Sequence, residues 1–166
     1  LRAAGAVRSL GPEQRDPRVE HAEAEDGEAG SGGGAGERLD PACLTVEITE
    51  SATMSDVTTT IAVLDRLKEL GVRLAIDDFG TGYSSLSYLR AFPFDKIKID
   101  QRFVRDIDSS MENQAIVRAI ISLAKDLGMR VTAEGVENEQ QAAILAGLGC
   151  TEVQGFLYSR PVPAAE

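Results

Sequence analysis

The sequence predicts an α/β domain built as a TIM-like (β/α) barrel, and three observations lead to this prediction. Short runs of aliphatic and β-branched residues alternate with amphipathic helical patterns from Leu44 onward. The connections between successive runs are long enough for a crossover helix, which parallel strands require. Each run also carries a polar residue near its carboxyl end, on the face opposite its apolar side chains.

The strands are predicted from β-branched and aliphatic composition and from their bounding turn residues. Successive side chains of a strand point to opposite faces, so the apolar residues of one run share a face. Five runs meet these criteria: Leu44–Ile48, Val72–Ile76, Lys96–Ile99, Arg130–Ala133 and Thr151–Val153.

Helices are predicted between the strands from apolar residues at helical spacing. The segment Ser55–Leu70 ends at Gly71, and Asn113–Leu127 ends at Gly128, where glycine is typical of a helix C-terminus. A third helix covers Asn138–Leu148. A short helix around Ser84–Leu89 precedes Pro93.

The polar residues of the strands favour a barrel over an open doubly wound sheet. An open parallel sheet is covered by helices on both faces, so its strands are almost continuously apolar. In this sequence a polar side chain interrupts each strand on the face away from the helices: Glu47, Asp77, Lys98, Glu134 and Gln154. In a barrel these side chains converge at the carboxyl ends of the strands, where barrel enzymes have their active sites.

The region before Leu39 differs from the rest in composition. Residues 20–38 contain no Val, Ile, Leu, Met, Phe, Tyr or Trp, and such a segment buries too little apolar surface to offset its ordering entropy. We therefore expect residues 1–38 to be a disordered, acidic, Gly-rich segment, either a linker or a stretch read out of frame. Residues 39–166 supply about five of the eight strands of a barrel, which usually takes about 250 residues, so we expect an incomplete barrel.

Composition excludes several classes of function. The chain has 27 acidic and 17 basic residues and a net charge of −10, which disfavours binding to a nucleic acid polymer. No apolar run is long enough to predict a membrane span, and the first residues do not resemble a signal peptide. Two distant cysteines, Cys43 and Cys150, indicate buried reduced thiols rather than a disulfide framework, so we expect a cytoplasmic protein.

Four carboxylates near the carboxyl ends of the strands predict a site for hard cations. Glu47, Asp77, Asp78 and Glu134 would repel one another unless cations neutralised them, and oxygen donors favour Mg²⁺ or Mn²⁺. Asp77 and Asp78 are adjacent, so the second is expected to turn inward from the following loop, an arrangement that suits two ions. Paired ions are common in phosphodiester hydrolysis. Lys98 would add a positive charge beside the phosphate or the attacking water.

Five stretches at these positions resemble the EAL-domain family, the phosphodiesterases that hydrolyse cyclic di-GMP to linear pGpG. The resemblance is specific because the five stretches occur in order over most of the chain after residue 38. They are Val46–Ser51, Asp77–Leu86, Lys98–Asp100 with Phe103 and Val104, Ala133–Glu137, and Gln154–Leu157 with Ser159, Pro161 and Pro163.

The resemblance implies a role for each matched residue. Glu47, Asp77, Asp78 and Glu134 match metal ligands, and Glu134 also matches a general base. Lys98 matches the catalytic lysine, and Glu137 and Gln154 match positions that line the active site. Glu50 matches a residue that steadies a loop coupling dimerisation to catalysis. In this sequence the loop comprises Phe79, Gly80, Thr81, Gly82, Tyr83, Ser84 and Ser85.

The sequence also departs from the family pattern. The Glu-Ala-Leu motif, the asparagine ligand of the next strand and a phosphate-binding arginine have no counterpart before Leu39; the nearest string is His21–Glu25. Two interpretations follow. The chain is a two-metal cyclic di-GMP phosphodiesterase with impaired activity, or it is an inactive remnant that regulates by binding cyclic di-GMP or a protein.

Overall fold

A six-stranded sheet organises the described part of the chain. The computed structural model describes residues 7–9, 40–53, 57–82 and 86–160. Within these residues the strand order is β1-β6-β5-β4-β3-β2, and neighbours from β2 to β6 are parallel. The strands are β1 (Val7–Ser9), β2 (Thr45–Thr49), β3 (Arg73–Phe79), β4 (Lys96–Ile99), β5 (Arg130–Glu134) and β6 (Glu152–Gln154).

Helices connect the parallel strands, as predicted. Three of the predicted helices differ from the structure by one or two residues at their described ends. The short helix before Pro93 ends two residues later than predicted, at Ala91, and its predicted start at Ser84 lies outside the described residues. A 3₁₀ turn at Pro41–Cys43 precedes β2. The helices are α1 (Glu50–Thr53), α2 (Val57–Glu69), α3 (Leu86–Ala91), α4 (Gln101–Arg105), α5 (Met111–Asp126) and α6 (Glu139–Gly147).

The core lies between the sheet and its helices. Ile97 and Ile99 of β4 are fully buried, and their neighbours Ile76 and Val131 on the flanking strands are almost so. From α5, Val117 and Ile120 pack into the same core. Burying such side chains stabilises a fold by about 1.5–3 kcal/mol each, so the apolar face of the sheet fixes the register of the strands.

The sequential order of parallel strands confirms the prediction of an α/β fold with barrel-type topology. In such a fold each strand pairs with the next along the chain, as β2 to β6 do here. The polar side chains lie on the face of the sheet opposite the one that α2 and α5 cover.

Four short elements among the described residues are additional to those predicted: β1, the 3₁₀ turn, α1 and α4. Strand β1 pairs antiparallel with β6, with Arg8 opposite Val153. Helix α4 directly follows β4 and is capped by Asp100. The rest of the predicted disordered segment lies outside the described residues, so its disorder stays a prediction.

The structure corrects one prediction about the cysteines. Cys150 is buried, and burial raises the pKa of its thiol to about 11. Cys43 was also expected to be buried but is exposed, because it lies in the turn that precedes the edge strand β2. Among the described helices, none has the length and apolar character needed to cross a bilayer.

Candidate active site

Lys98 lies at the centre of a charged cluster on the polar face of the sheet. Its Nζ is 2.7 Å from Glu47 Oε2, 3.1 Å from Asp77 Oδ1 and 2.8 Å from Glu134 Oε1. The three carboxylates come from β2, β3 and β5, and Lys98 comes from β4 between them. The structure therefore brings together four residues that the sequence placed near the carboxyl ends of different strands.

The lysine side chain is shielded from water by its partners, with only 7% of its surface exposed. Burial alone would lower the pKa of Lys98, but Glu134 and then Glu47 raise it above its ordinary value through charge attraction and hydrogen bonds. Lys98 is therefore a permanent cation here. The two aspartates nearest to Lys98 in the sequence have other partners: Asp95 pairs with Lys68, and Asp100 with Arg102.

Asp77 and Asp78 both contribute carboxylates to this site because the backbone of β3 is irregular. The pairing of β3 with β4 shifts between Ile76 and Phe79, and Asp78 has a φ of +54°. This bulge changes the direction of a side chain that regular alternation would send to the opposite face. The sequence predicted that Asp78 would turn inward from the following loop; the turn occurs within the strand.

Three carboxylates lie close enough together to share a cation. One oxygen from each of Asp77, Asp78 and Glu134 lies within 4.8 Å of the others. Burial raises the pKa of Glu134; Lys98 opposes this shift, while Asp77 and Glu47 add to it by repulsion. The crowding is electrostatically costly, which is typical of groups arranged to hold a cation or to exchange a proton.

Glu50 fixes the loop that follows β3. Its carboxylate is buried, and Oε2 accepts hydrogen bonds from the backbone N–H groups of Gly80 at 3.0 Å and Gly82 at 3.3 Å. Gly80 has a φ of +94°, a conformation that glycine adopts without strain. The family resemblance implied this contact, and the structure provides its geometry.

The remaining loop residues are only partly described. Phe79 is buried in the core, and the Thr81 hydroxyl donates to the backbone oxygen of Asp78 at 2.9 Å. Tyr83, Ser84 and Ser85, also expected in the regulatory loop, lie outside the described residues.

Gln154 ends β6, and Glu137 lies in the loop that follows β5. Gln154 is paired with Glu134 across β5 and β6, and its backbone oxygen accepts from Val136 N–H at 3.1 Å. Glu137 has an exposed side chain, and its N–H donates to Gln141 Oε1 at 2.8 Å. The structure therefore places Gln154 beside Glu134 in the sheet and Glu137 three residues further along the chain. No contact of either side chain with the Lys98 cluster is found among the described residues.

A second charged layer lies on β4, β5 and β6, nearer the amino ends of these strands, and it was not predicted from the sequence. Glu152 receives hydrogen bonds from Lys96, from Thr132 at 2.8 Å and from Arg130 at 3.2 Å. Lys96 precedes Lys98 by two residues, and Glu152 precedes Gln154 by two. Because residues two apart in a strand share a face, alternation could have predicted that Lys96 and Glu152 lie on the same face as Lys98 and Gln154.

Comparison with known proteins identifies the family. The EAL domain model matches residues 36–161. Over 122 residues the chain is 53% identical to the cyclic di-GMP phosphodiesterase NbdA of Pseudomonas aeruginosa, covering 74% of this chain and 16% of that protein. It is 44% identical to the bifunctional diguanylate cyclase/cyclic di-GMP phosphodiesterase MucR of the same organism, covering 77% of this chain and 19% of that protein.

Solved structures show the same fold. The PaMucR phosphodiesterase in complex with cyclic di-GMP has a TM-score of 0.73 at 45% identity, covering 76% of this chain and 51% of that one. Klebsiella pneumoniae BlrP1 in a manganese and cyclic di-GMP complex has a TM-score of 0.70 at 45% identity, covering 74% of this chain and 31% of that one. A complex of that protein contains calcium. The chain thus spans about half or less of each of these structures, and 16% to 19% of each curated relative. On the match over residues 36–161, this chain belongs to the EAL domain family.

Proposed function

We propose that this chain carries out metal-dependent hydrolysis of cyclic di-GMP to linear pGpG. One observation supports this proposal above the others: carboxylate oxygens of Asp77, Asp78 and Glu134 lie within 4.8 Å of one another beside the buried Lys98 cation. Such a combination suits a phosphodiester, whose attacking and leaving oxygens need charge stabilisation.

The donor set fits divalent cations of the hard class. All the candidate ligands are carboxylate oxygens, which suit Mg²⁺ or Mn²⁺. We assign Asp77, Asp78 and Glu134 as ligands. We add Glu47 as a further ligand because its Oε2 lies 2.7 Å from Nζ of Lys98, in the same cluster. Two bound ions would supply charge neutralisation of the phosphate and a lowered pKa for the attacking water.

The protein residues then have distinct tasks. Lys98 provides a fixed positive charge that partly balances the carboxylates and can face the phosphate. Glu134, whose pKa is raised by burial, is suited to accept a proton from water at its Oε atoms. Gln154 and Glu137 flank Glu134 and would line the substrate site, while Glu50 orders the loop after Asp78.

Two further parts of the proposal concern assembly and location. We infer a homodimer formed through the loop 79–85, supported by the anchoring of that loop to Glu50 beside the carboxylate cluster. We also propose a cytoplasmic location, which is supported by an exposed free thiol at Cys43.

The test is to incubate the purified chain with cyclic di-GMP and either MnCl₂ or MgCl₂ and to follow pGpG by chromatography. Asp77→Asn and Glu134→Gln should lower turnover at least 100-fold, whereas the exposed Glu139→Gln should behave like the wild type. Measurable binding of cyclic di-GMP without product in either metal would reject the enzyme and support the alternative, a binding regulator.

A further inference from the structure

Gln141 connects the segments that follow two strands of the active site. Helix α4 follows β4, which carries Lys98, and the loop 135–138 follows β5, which carries Glu134. We propose that Gln141 is a positioning residue that holds this loop against α4 and so maintains the spacing between Lys98 and Glu134. This inference rests on the proposed function for its catalytic consequence.

The side chain of Gln141 makes three hydrogen bonds in a buried position. It is 3% exposed, and its Oε1 accepts from the N–H groups of Glu137 at 2.8 Å and Asn138 at 3.3 Å. Its Nε2 donates to the backbone oxygen of Arg105, the last residue of α4, at 2.9 Å. One amide group thus hydrogen-bonds to polar backbone atoms of both segments.

The loop is tightly confined where Gln141 holds it. A Cβ at Gly135 would lie 2.5 Å from the Cβ of Gln101, so the loop packs directly on α4. On its other side, Val136 accepts from Leu157 N–H at 3.0 Å and donates to Gln154. Val136 therefore joins the loop to β6, and Gln141 joins it to α4.

The positions of the two reacting side chains depend on these attachments. Lys98 lies two residues before Asp100, the N-cap of α4, and Glu134 lies three residues before Glu137. Their 2.8 Å contact spans the two strands whose extensions Gln141 ties together. A loosened loop would let Glu134 move relative to Lys98, and displacements of about 1 Å can cost about 100-fold in rate.

Helix capping accounts for only one of the three hydrogen bonds that the Gln141 side chain makes. Asn138 Oδ1 accepts from the backbone N–H of Gln141 at 2.9 Å, and this bond would persist in any variant of the Gln141 side chain. The reciprocal bond from Asn138 N–H to Oε1 is the longer of the two that Oε1 accepts. The shorter bond from Glu137 and the bond to Arg105 lie outside a capping box.

The experiment compares Gln141→Met with Gln140→Met in the full chain. Gln140 is the adjacent, exposed glutamine and serves as the matched control. For Gln141→Met we expect amide hydrogen exchange at Glu137 and Asn138 to be about 10-fold faster. We expect kcat for cyclic di-GMP to fall about 10- to 100-fold, with KM changing less than about threefold. Gln140→Met should match the wild type in both measurements.

Gln141→Glu separates the two contacts and provides a second folded variant. Its carboxylate can still accept from Glu137 and Asn138, but in its ionised form it cannot donate to Arg105. We expect slow exchange at Glu137 to be retained while kcat falls, because the link to α4 is lost. A kcat within about twofold of the wild type in both folded variants would overturn the positioning role.

The two proposals fail in different ways. Wild-type chain that forms no pGpG would reject the phosphodiesterase activity, while hydrogen exchange would still report on the Gln141 attachment. Unchanged exchange at Glu137 in Gln141→Met would reject that attachment, whatever the wild-type turnover.

Discussion

Lys98 Nζ and Glu134 Oε1 lie 2.8 Å apart on neighbouring parallel strands, with Asp77 and Glu47 bound to the same ammonium group. One lysine thus serves three carboxylates, and neutrality is not reached. Lys98 partly neutralises the carboxylates, which stabilises the site in the absence of a metal ion. The negative charge that remains favours the binding of added cations.

Replacement of Lys98 by a neutral residue should destabilise the fold, because its positive charge partly balances three carboxylates. Lys98→Met is expected to lower the free energy of unfolding by about 1–3 kcal/mol, because three carboxylates then repel one another without compensation. Addition of MnCl₂ should restore more stability to this variant than to the wild type, since an ion that binds only the folded state shifts the equilibrium toward it. Urea unfolding with and without MnCl₂ measures both effects. The exposed Lys125→Met is the control, and equal stability of Lys98→Met and wild type without metal would contradict the account.

Loss of the loop anchor should reduce both activity and stability. In Glu50→Gln, a neutral amide oxygen replaces the carboxylate that accepts from Gly80 and Gly82. Hydrogen bonds to charged groups contribute about 1.5–3 kcal/mol, and we expect about half of that to be lost in the unfolding free energy. Turnover of cyclic di-GMP should fall about 10-fold because the loop begins directly after Asp78. Full activity of Glu50→Gln would contradict the prediction that the anchoring of this loop by Glu50 supports catalysis.

The layer below the site predicts a pH dependence of stability. Burial acts to raise the pKa of Glu152, but hydrogen bonds and charge attraction from Lys96, then Thr132 and Arg130, lower it below its ordinary value. A carboxylate with a lowered pKa in the folded state contributes stability above the unfolded-state pKa and loses it as pH falls through the folded value.

Glu152→Gln should therefore lower stability by about 1–3 kcal/mol at pH 7 and have a progressively smaller effect below about pH 4.5. Chemical denaturation of the two proteins from pH 7 to pH 3 gives the difference directly. A constant difference across that range would show that the Glu152 charge is not the source of the stability.

Alternating polarity carried most of the information that the sequence offered about this site. It placed Glu47, Asp77, Lys98 and Glu134 on one face because successive side chains of a strand point to opposite faces, so the apolar residues of each strand determine which face its polar residues take. The contact of Gln141 with Arg105 could not be predicted in the same way. It depends on α4, a five-residue helix too short to show a periodic pattern.

The close approach of Gly155 to Val136 should make this glycine irreplaceable. A Cβ at Gly155 would lie 2.2 Å from the backbone oxygen of Val136, and no flexible side chain can yield there. Gly155→Ala should therefore cost at least about 3 kcal/mol of unfolding free energy and detach the loop that borders Glu134. Gly147→Ala is the matched control: no atom lies within 4 Å of the added Cβ at this last residue of α6. This control should gain about 0.5–1 kcal/mol from helix propensity, and equal stability of both variants would refute the argument.

Asp78 allows the charge of a ligand to be separated from the backbone conformation that presents it. Its φ of +54° is tolerated by Asn and Asp better than by other non-glycine residues. Asp78→Asn should keep the bulge and the stability but bind Mn²⁺ at least 10-fold more weakly, because one anionic ligand is lost. Asp78→Ala should weaken Mn²⁺ binding to the same extent and in addition lower the free energy of unfolding by about 1 kcal/mol, because the left-handed conformation is strained for alanine. Calorimetric titration with MnCl₂ and urea unfolding measure the two effects. Mn²⁺ affinity that is unchanged in Asp78→Asn would remove Asp78 from the ligand set and leave the bulge with a structural role alone.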